Sequence, residues 1–133
     1  KKNPYLPKNI KENSVCYTGT HDNDTLLGYI SKLKDGEYNI FKESLEETLK
    51  EGDVQCFLEN KIEMAKAIML LTMRSLAYLA VIPIQDILLL GSRARMNMPS
   101  TSEGNWQFKL QHIPNKQELF DFCELVKFCE RRP

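Results

Sequence analysis

Tyr17-Thr18-Gly19-Thr20-His21-Asp22-Asn23-Asp24-Thr25 gathers a histidine, two carboxylates and an amide between two runs of different character. Ahead of it, Ser14-Val15-Cys16 is β-prone, so residues 14–18 read as a short strand. Behind it, Leu26-Leu27-Gly28-Tyr29-Ile30 is apolar enough to open a helix reaching about Lys34. Asp24 or Thr25 supplies its N-cap and Asp35-Gly36 its stop. A strand handing over to a helix through a polar turn is the building unit of parallel α/β sheets.

The same unit recurs further on. Phe41, Leu45 and Leu49 fall on one face of a helix over Ile40–Glu51 that Gly52 ends, and 53–59 reads as a short helical turn. Asn60 to about Tyr78 is predicted to be the longest helix, apolar on more than one face. Leu79–Ile84 then reads as a strand covered on both faces, with Gln85-Asp86 at its C-terminal end. Ile87–Leu90 reads as a helical turn and Ser92–Gly104 as a long polar loop. Asn105–Leu110 reads as extended. Lys116 to about Arg131 forms a last helix with Leu119, Phe120, Cys123, Val126 and Phe128 inward. Two strands joined by a helical crossover predict parallel pairing. Two strands cannot cover that many helices, and the chain opens without Met in a turn-like connector over 1–13. The expectation is a part of a larger α/β fold.

Composition narrows the function classes. The 133 residues carry 18 basic and 18 acidic side chains, so no basic footprint for nucleic acid exists and no polybasic run marks a membrane surface. The apolar run Ala67–Ile84 contains Arg74 and Pro83, which argues against a membrane span. The opening KKNPYLPKNIKENS does not read as a signal peptide. Cys16, Cys56, Cys123 and Cys129 lack paired CxxC spacing and read as thiols of a reducing, cytoplasmic setting.

Ligands of parallel α/β proteins bind at the C-terminal ends of strands. His21, Asp22, Asn23 and Asp24 lie past one such end, Gln85 and Asp86 past the other, so both groups should open on one face. Helix capping explains Asp24 but not His21 or Asp22. A histidine beside a carboxylate also suits a metal-dependent phosphohydrolase, yet His112 is the one other histidine and sits by Ile113-Pro114 in a surface turn. Cys16 lies inside a strand and reads as core. Arg93 and Arg95 read either as solvated loop residues with one salt bridge or as part of a site. Asn97, Asn105 and Trp106 suit a sugar, since amides bond hydroxyls and an aromatic ring packs on the apolar sugar face. Trp106 read instead as a core or interface anchor remains open.

YTGTHDNDTLLGY, IPIQDILLLGSRARMNMPST and GNWQFKL resemble, in order and spacing, segments of the 4-α-glucanotransferases, the amylomaltases or disproportionating enzymes of glycoside hydrolase family 77. The opening NPYLPKNIKENSVCYTGTHDND looks like the family's run into the same strand. The resemblance implies a (β/α)8 TIM barrel, of which residues 1–133 are the C-terminal part, about the last two strands with their helices. It implies transfer of an α-1,4-glucan segment to a 4-hydroxyl by a retaining mechanism, without a required cofactor or metal. Asp22 then maps to the catalytic carboxylate that grips sugar hydroxyls at the cleavage point. His21 becomes its sugar-binding neighbour and Asn97 a substrate contact.

The nucleophile and the acid/base are implied to precede this segment, so the chain alone is expected to be inactive. Gln107-Phe108 stand where the family more often has basic and aromatic residues, a departure that weakens the implied sugar contact there. The expected partners are a maltooligosaccharide, the remainder of the parent barrel and a second copy at an open sheet edge. The expected location is cytoplasmic, or plastid for a plant source. A carbohydrate-binding or assembly module without turnover is the non-enzymatic rival.

Overall fold

The computed structural model describes residues 6–130. A 3-10 turn at Pro7–Asn9 leads into β1 (Val15–Tyr17), and three helices follow: α1 (Leu26–Lys32), α2 (Asp35–Glu51) and α3 (Lys61–Arg74). Then come β2 (Leu79–Val81), the short α4 (Ile84–Ile87), a 3-10 turn at Ser92–Ala94 and α5 (Phe120–Phe128). β1 and β2 pair in parallel, Val15 opposite Leu79 and Tyr17 opposite Val81, as the crossover predicts. The turn signal at Asn3-Pro4 and the end of the last helix at Arg131 lie outside the described residues.

α1 starts where the Thr25 hydroxyl accepts the Gly28 N–H at 3.1 Å, which settles the cap on Thr25 rather than Asp24. It ends at extended Leu33 and Lys34, and α2 begins at once. Asp35-Gly36 therefore open a helix instead of stopping one. The Glu37 carboxylate accepts the Lys34 N–H at 3.1 Å, and acidic groups in a first turn suit the helix dipole. Leu45 and Leu49 are buried along the predicted stripe, and Gly52 caps the end. Residues 53–59 form no helical turn.

α3 is shorter than α2. Asn60 is its N-cap rather than its first turn, accepting from the Ile62 and Glu63 N–H groups. Its burial on several faces makes it the centre of the core. Ile30, Met64 and Ala65 are fully buried, with Leu45, Leu49, Ala67 and Met69 around them.

β2 departs from expectation. Leu79 and Val81 are half-exposed, as are Val15 and Tyr17 on β1, so one face of the two-stranded sheet is bare while Cys16 and Ala80 face inward. Ile84 belongs to α4, since Pro83 turns the chain and its carbonyl accepts the Asp86 N–H. Asn105–Leu110 forms no strand because Trp106 adopts φ 61°. α5 begins later than predicted. Leu125 packs on the core, whereas Phe120 and Phe128 are exposed. Cys16, Cys56 and Cys123 are free thiols, and no described helix is long and apolar enough to cross a membrane.

Gly28 lies on the face of α1 turned to the 3-10 turn at Ser92–Ala94. A Cβ there would stand 2.6 Å from Asp24 Oδ1 and from Ser92 Oγ. Gly28→Ala gains about 1 kcal/mol of helix propensity but forces these groups apart at an overpacking cost of about 1–3 kcal/mol. Urea unfolding should show a net loss. A gain in midpoint would refute the close approach.

Candidate active site

Three carboxylates follow β1 or β2, and the structure gives them different work. Asp86 is buried. Its Oδ1 accepts the Leu26 N–H at 2.8 Å and its Oδ2 the Thr18 hydroxyl at 2.7 Å. It ties the end of β1 to the start of α1, yet Gln85 and Asp86 also line the same hollow as His21, Asn23 and Asp24, on one face as the sequence predicts. Gln85 is also buried, donating to the Ala94 carbonyl at 3.3 Å. Burial pushes the Asp86 pKa up. The two hydrogen bonds oppose this without cancelling it, and the Asp24 charge adds to it.

Asp24 is a second fastening. Its Oδ1 accepts the Thr25 N–H, and its Oδ2 accepts the Ser92 hydroxyl at 2.8 Å and pairs with Lys32. Burial works against its charge, but the bonds from Lys32, Ser92 and Thr25 outweigh that and hold its pKa below the ordinary value.

Between these fixed points the chain makes a tight turn. Asn23 Oδ1 accepts the Thr20 N–H at 2.8 Å and hydroxyl at 2.9 Å, and the Asn23 N–H returns to the Thr20 carbonyl. His21 and Asp22 ride on its tip, their side chains about half exposed. The loop after β2 comes up against them. Asn97 Nδ2 donates to Asp22 Oδ1 at 2.6 Å, and the Asn97 N–H donates to the His21 carbonyl at 3.1 Å. His21 Nε2 lies 3.3 Å from the same Asp22 oxygen. The Trp106 ring stands 5.1 Å from the His21 ring, tilted by 37°, and is itself 59% exposed. Asp22 Oδ2 has no hydrogen-bond partner among the described residues.

His21, Asp22 and Asn97 thus meet, 75 residues apart in sequence for the last two. Trp106 joins them at the surface, which answers the core alternative but not the interface one. Asn105 does not join: its side chain accepts the Met98 N–H and donates to Thr101, closing its own loop. Among the described residues Arg95 forms no salt bridge. It donates instead to the carbonyls of Asp22 and Asn97, so it is no merely solvated loop residue. His112 pairs with Glu118 at the surface. Among the described residues no three His, Cys, Asp or Glu side chains converge for a metal.

A hollow of about 550 Å³ lies beneath the turn, touched by His21, Asp86 and Arg95. A larger one of about 950 Å³ opens between α3, α5 and residues 108–114, but includes none of His21, Asp22 or Asn97. The smaller one reaches His21 but neither Asp22 nor Asn97.

The 4-alpha-glucanotransferase model of glycoside hydrolase family 77 matches residues 1–115. The chain belongs to the 4-alpha-glucanotransferase family. It is 43% identical over 110 residues to 4-alpha-glucanotransferase of Thermus thermophilus, covering 81% of this chain and 21% of that protein. It is 38% identical over 110 residues to the chloroplastic/amyloplastic 4-alpha-glucanotransferase of Solanum tuberosum, covering 81% and 17%. The chain spans about a fifth of the length of the curated relatives it matches. Amylomaltase from Streptococcus agalactiae, solved in complex with acarbose, shares the fold at TM-score 0.79 and 21% identity, over 99% of this chain and 25% of that one. The family match favours neither the phosphohydrolase nor the binding-module rival.

The pinning role of Asp86 carries a signed pH dependence. Its raised pKa means that the protonated form favours folding. That contribution is full below the ordinary carboxylate range and is lost as pH rises through the raised value. Asp24 has the opposite sign, supplying stability above its ordinary pKa that is lost on acidification. At pH 7 Asp86→Asn should unfold within about 1 kcal/mol of the parent, whereas Asp86→Ala should lose about 1–3 kcal/mol by orphaning the Leu26 N–H and Thr18 hydroxyl. Urea titrations at pH 4.5 and 7 check both, and equal losses for Asn and Ala would sink the assignment.

Proposed function

We propose that residues 1–133 are the C-terminal part of a 4-alpha-glucanotransferase catalytic barrel, about its last two strands with their helices. In this reading Asp22 is the catalytic carboxylate that grips sugar hydroxyls at the cleavage point of an α-1,4-glucan, with His21 and Asn97 as sugar-binding neighbours. The observation that carries it is the set Asp22, Asn97, His21 and Trp106. One Asp22 oxygen is held by an amide, the other is open, and an exposed aromatic ring stands alongside.

The chemistry follows from that set. In a retaining transfer a carboxylate nucleophile displaces the leaving glucan, which a carboxylic acid protonates. The acceptor 4-hydroxyl then displaces the enzyme while the same group takes its proton. Positive charge grows on the sugar ring in both transition states, and a fixed carboxylate bonded to its hydroxyls stabilises it. Asn97 fixes Asp22 through Oδ1, leaving Oδ2 to accept from a hydroxyl. His21 donates to another, and Trp106 offers an apolar face. Nucleophile and acid/base belong to the preceding strands. No cofactor enters these steps.

The bare sheet face supports the barrel part of the reading. Val15, Tyr17, Leu79 and Val81 point away from the helices. In a closed barrel that face is the packed interior. Uncovered, it and the open strand edges favour pairing with the remainder of the barrel, or with a second copy. The location consistent with the family is the cytoplasm, or a plastid for a plant source.

In the full-length parent, Asp22→Asn should reduce conversion of maltotriose to glucose and longer maltosaccharides by orders of magnitude while leaving the circular dichroism spectrum unchanged. Near-normal turnover would remove Asp22 from this role. The purified 133-residue chain should give no products from maltotriose. Turnover by it alone would mean that the nucleophile and acid/base lie within the chain.

A further inference from the structure

We infer that Arg95 is a positioning residue for Asp22, acting through the two loop backbones rather than on sugar; the inference rests on the role proposed for Asp22. Arg95 Nη2 donates to the Asp22 carbonyl at 2.6 Å, across 73 residues of sequence, and its Nε donates to the Asn97 carbonyl at 2.7 Å. The guanidinium spans the same two residues whose side chains meet at 2.6 Å. Among the described residues Arg95 makes no ion pair with a carboxylate. Its planar fork is spent on main-chain oxygens.

That use suits arginine alone. Its donors are fixed in one plane, so holding two acceptors fixes the distance between them, whereas a lysine offers one compact charge on a flexible stem. Ala94 is buried, and its carbonyl accepts from Gln85, so the base of Arg95 is anchored against α4. The strut therefore runs from a rigid base to the tip of the 20–23 turn. Without it, the Asp22–Asn97 bond remains as the direct side-chain tie at an exposed tip, and Asp22 gains freedom to swing.

A misplacement of about 1 Å at a reacting centre can cost on the order of 100-fold in rate. In the full-length enzyme Arg95→Ala should lower kcat for maltotriose transfer by about 10–100-fold with KM changed by less than about 3-fold. Guanidinium ion should restore part of kcat in Arg95→Ala but none in Asp22→Asn. Arg95→Lys, which keeps the charge, should recover little.

Unchanged kcat in Arg95→Ala, or a rise in KM alone, would overturn the inference, the latter marking a direct sugar contact. Full activity in Arg95→Lys would overturn it too. If Arg95→Ala does not fold, Arg95→Lys decides. Asp22→Asn separates the levels: an active Asp22→Asn refutes the role of Asp22 itself, while an inactive one beside a normal Arg95→Ala refutes the strut alone.

Discussion

The Asp86 carboxylate holds three pieces of chain at one point. It stands in α4, takes the first N–H of α1 and takes the Thr18 hydroxyl just beyond β1. The Leu26 N–H is one of the helix-start donors that α1 cannot satisfy itself. With Asp86 in place, the end of β1 and the start of α1 are both fixed, and residues 19–24 must bridge them as a short closed turn. The position of His21 and Asp22 is therefore decided by a buried group. The desolvation that raises the Asp86 pKa is the cost of placing that pin inside.

The second loop is keyed to the first by contacts that leave no room for a side chain between them. Ser92 reaches Asp24 across the surface of Gly28, and the approach is possible because Gly28 has no Cβ. Ser92–Ala94 then makes a 3-10 turn that delivers Arg95 and Asn97 to the tip. Fastening is buried at the base and exposed at the end. His21 and Asp22 stay half-exposed because nothing in residues 6–130 covers the other side of the turn.

Much of this was legible in the sequence, for identifiable reasons. The strand-turn-helix at 14–30 and the helical crossover between strands are local patterns of period and capping, and the parallel pairing follows from them. His21 and Asp22 stood out because capping had no use for them. What failed depended on three-dimensional neighbours. Leu79-Ala80-Val81 has the composition of a covered strand, but no described residue covers its outer face. Asp35-Gly36 read as a stop, yet the acidic groups at 35 and 37 favour a helix start, and two extended residues suffice to separate α1 from α2. Asn105 matched a sugar ligand by chemistry and was consumed by its own loop. Arg95 carried no signal apart from charge, because its partners are backbone carbonyls.

Trp106 shows how far the second loop is shaped for the tip rather than for its own stability. A bulky residue at φ 61° is costly, on the order of 1–3 kcal/mol, and here it is 59% exposed, so burial repays little of it. Its N–H bonds the Met96 carbonyl at 2.7 Å, which draws the returning strand of the loop beside Asn97. The strained backbone turns the ring onto His21. Glycine at 106 would relieve the strain, yet it would remove the ring packed on His21. Strain, exposure and contact with the His21 ring converge on one residue. That convergence supports the sugar-facing role proposed for this loop over a purely connecting one.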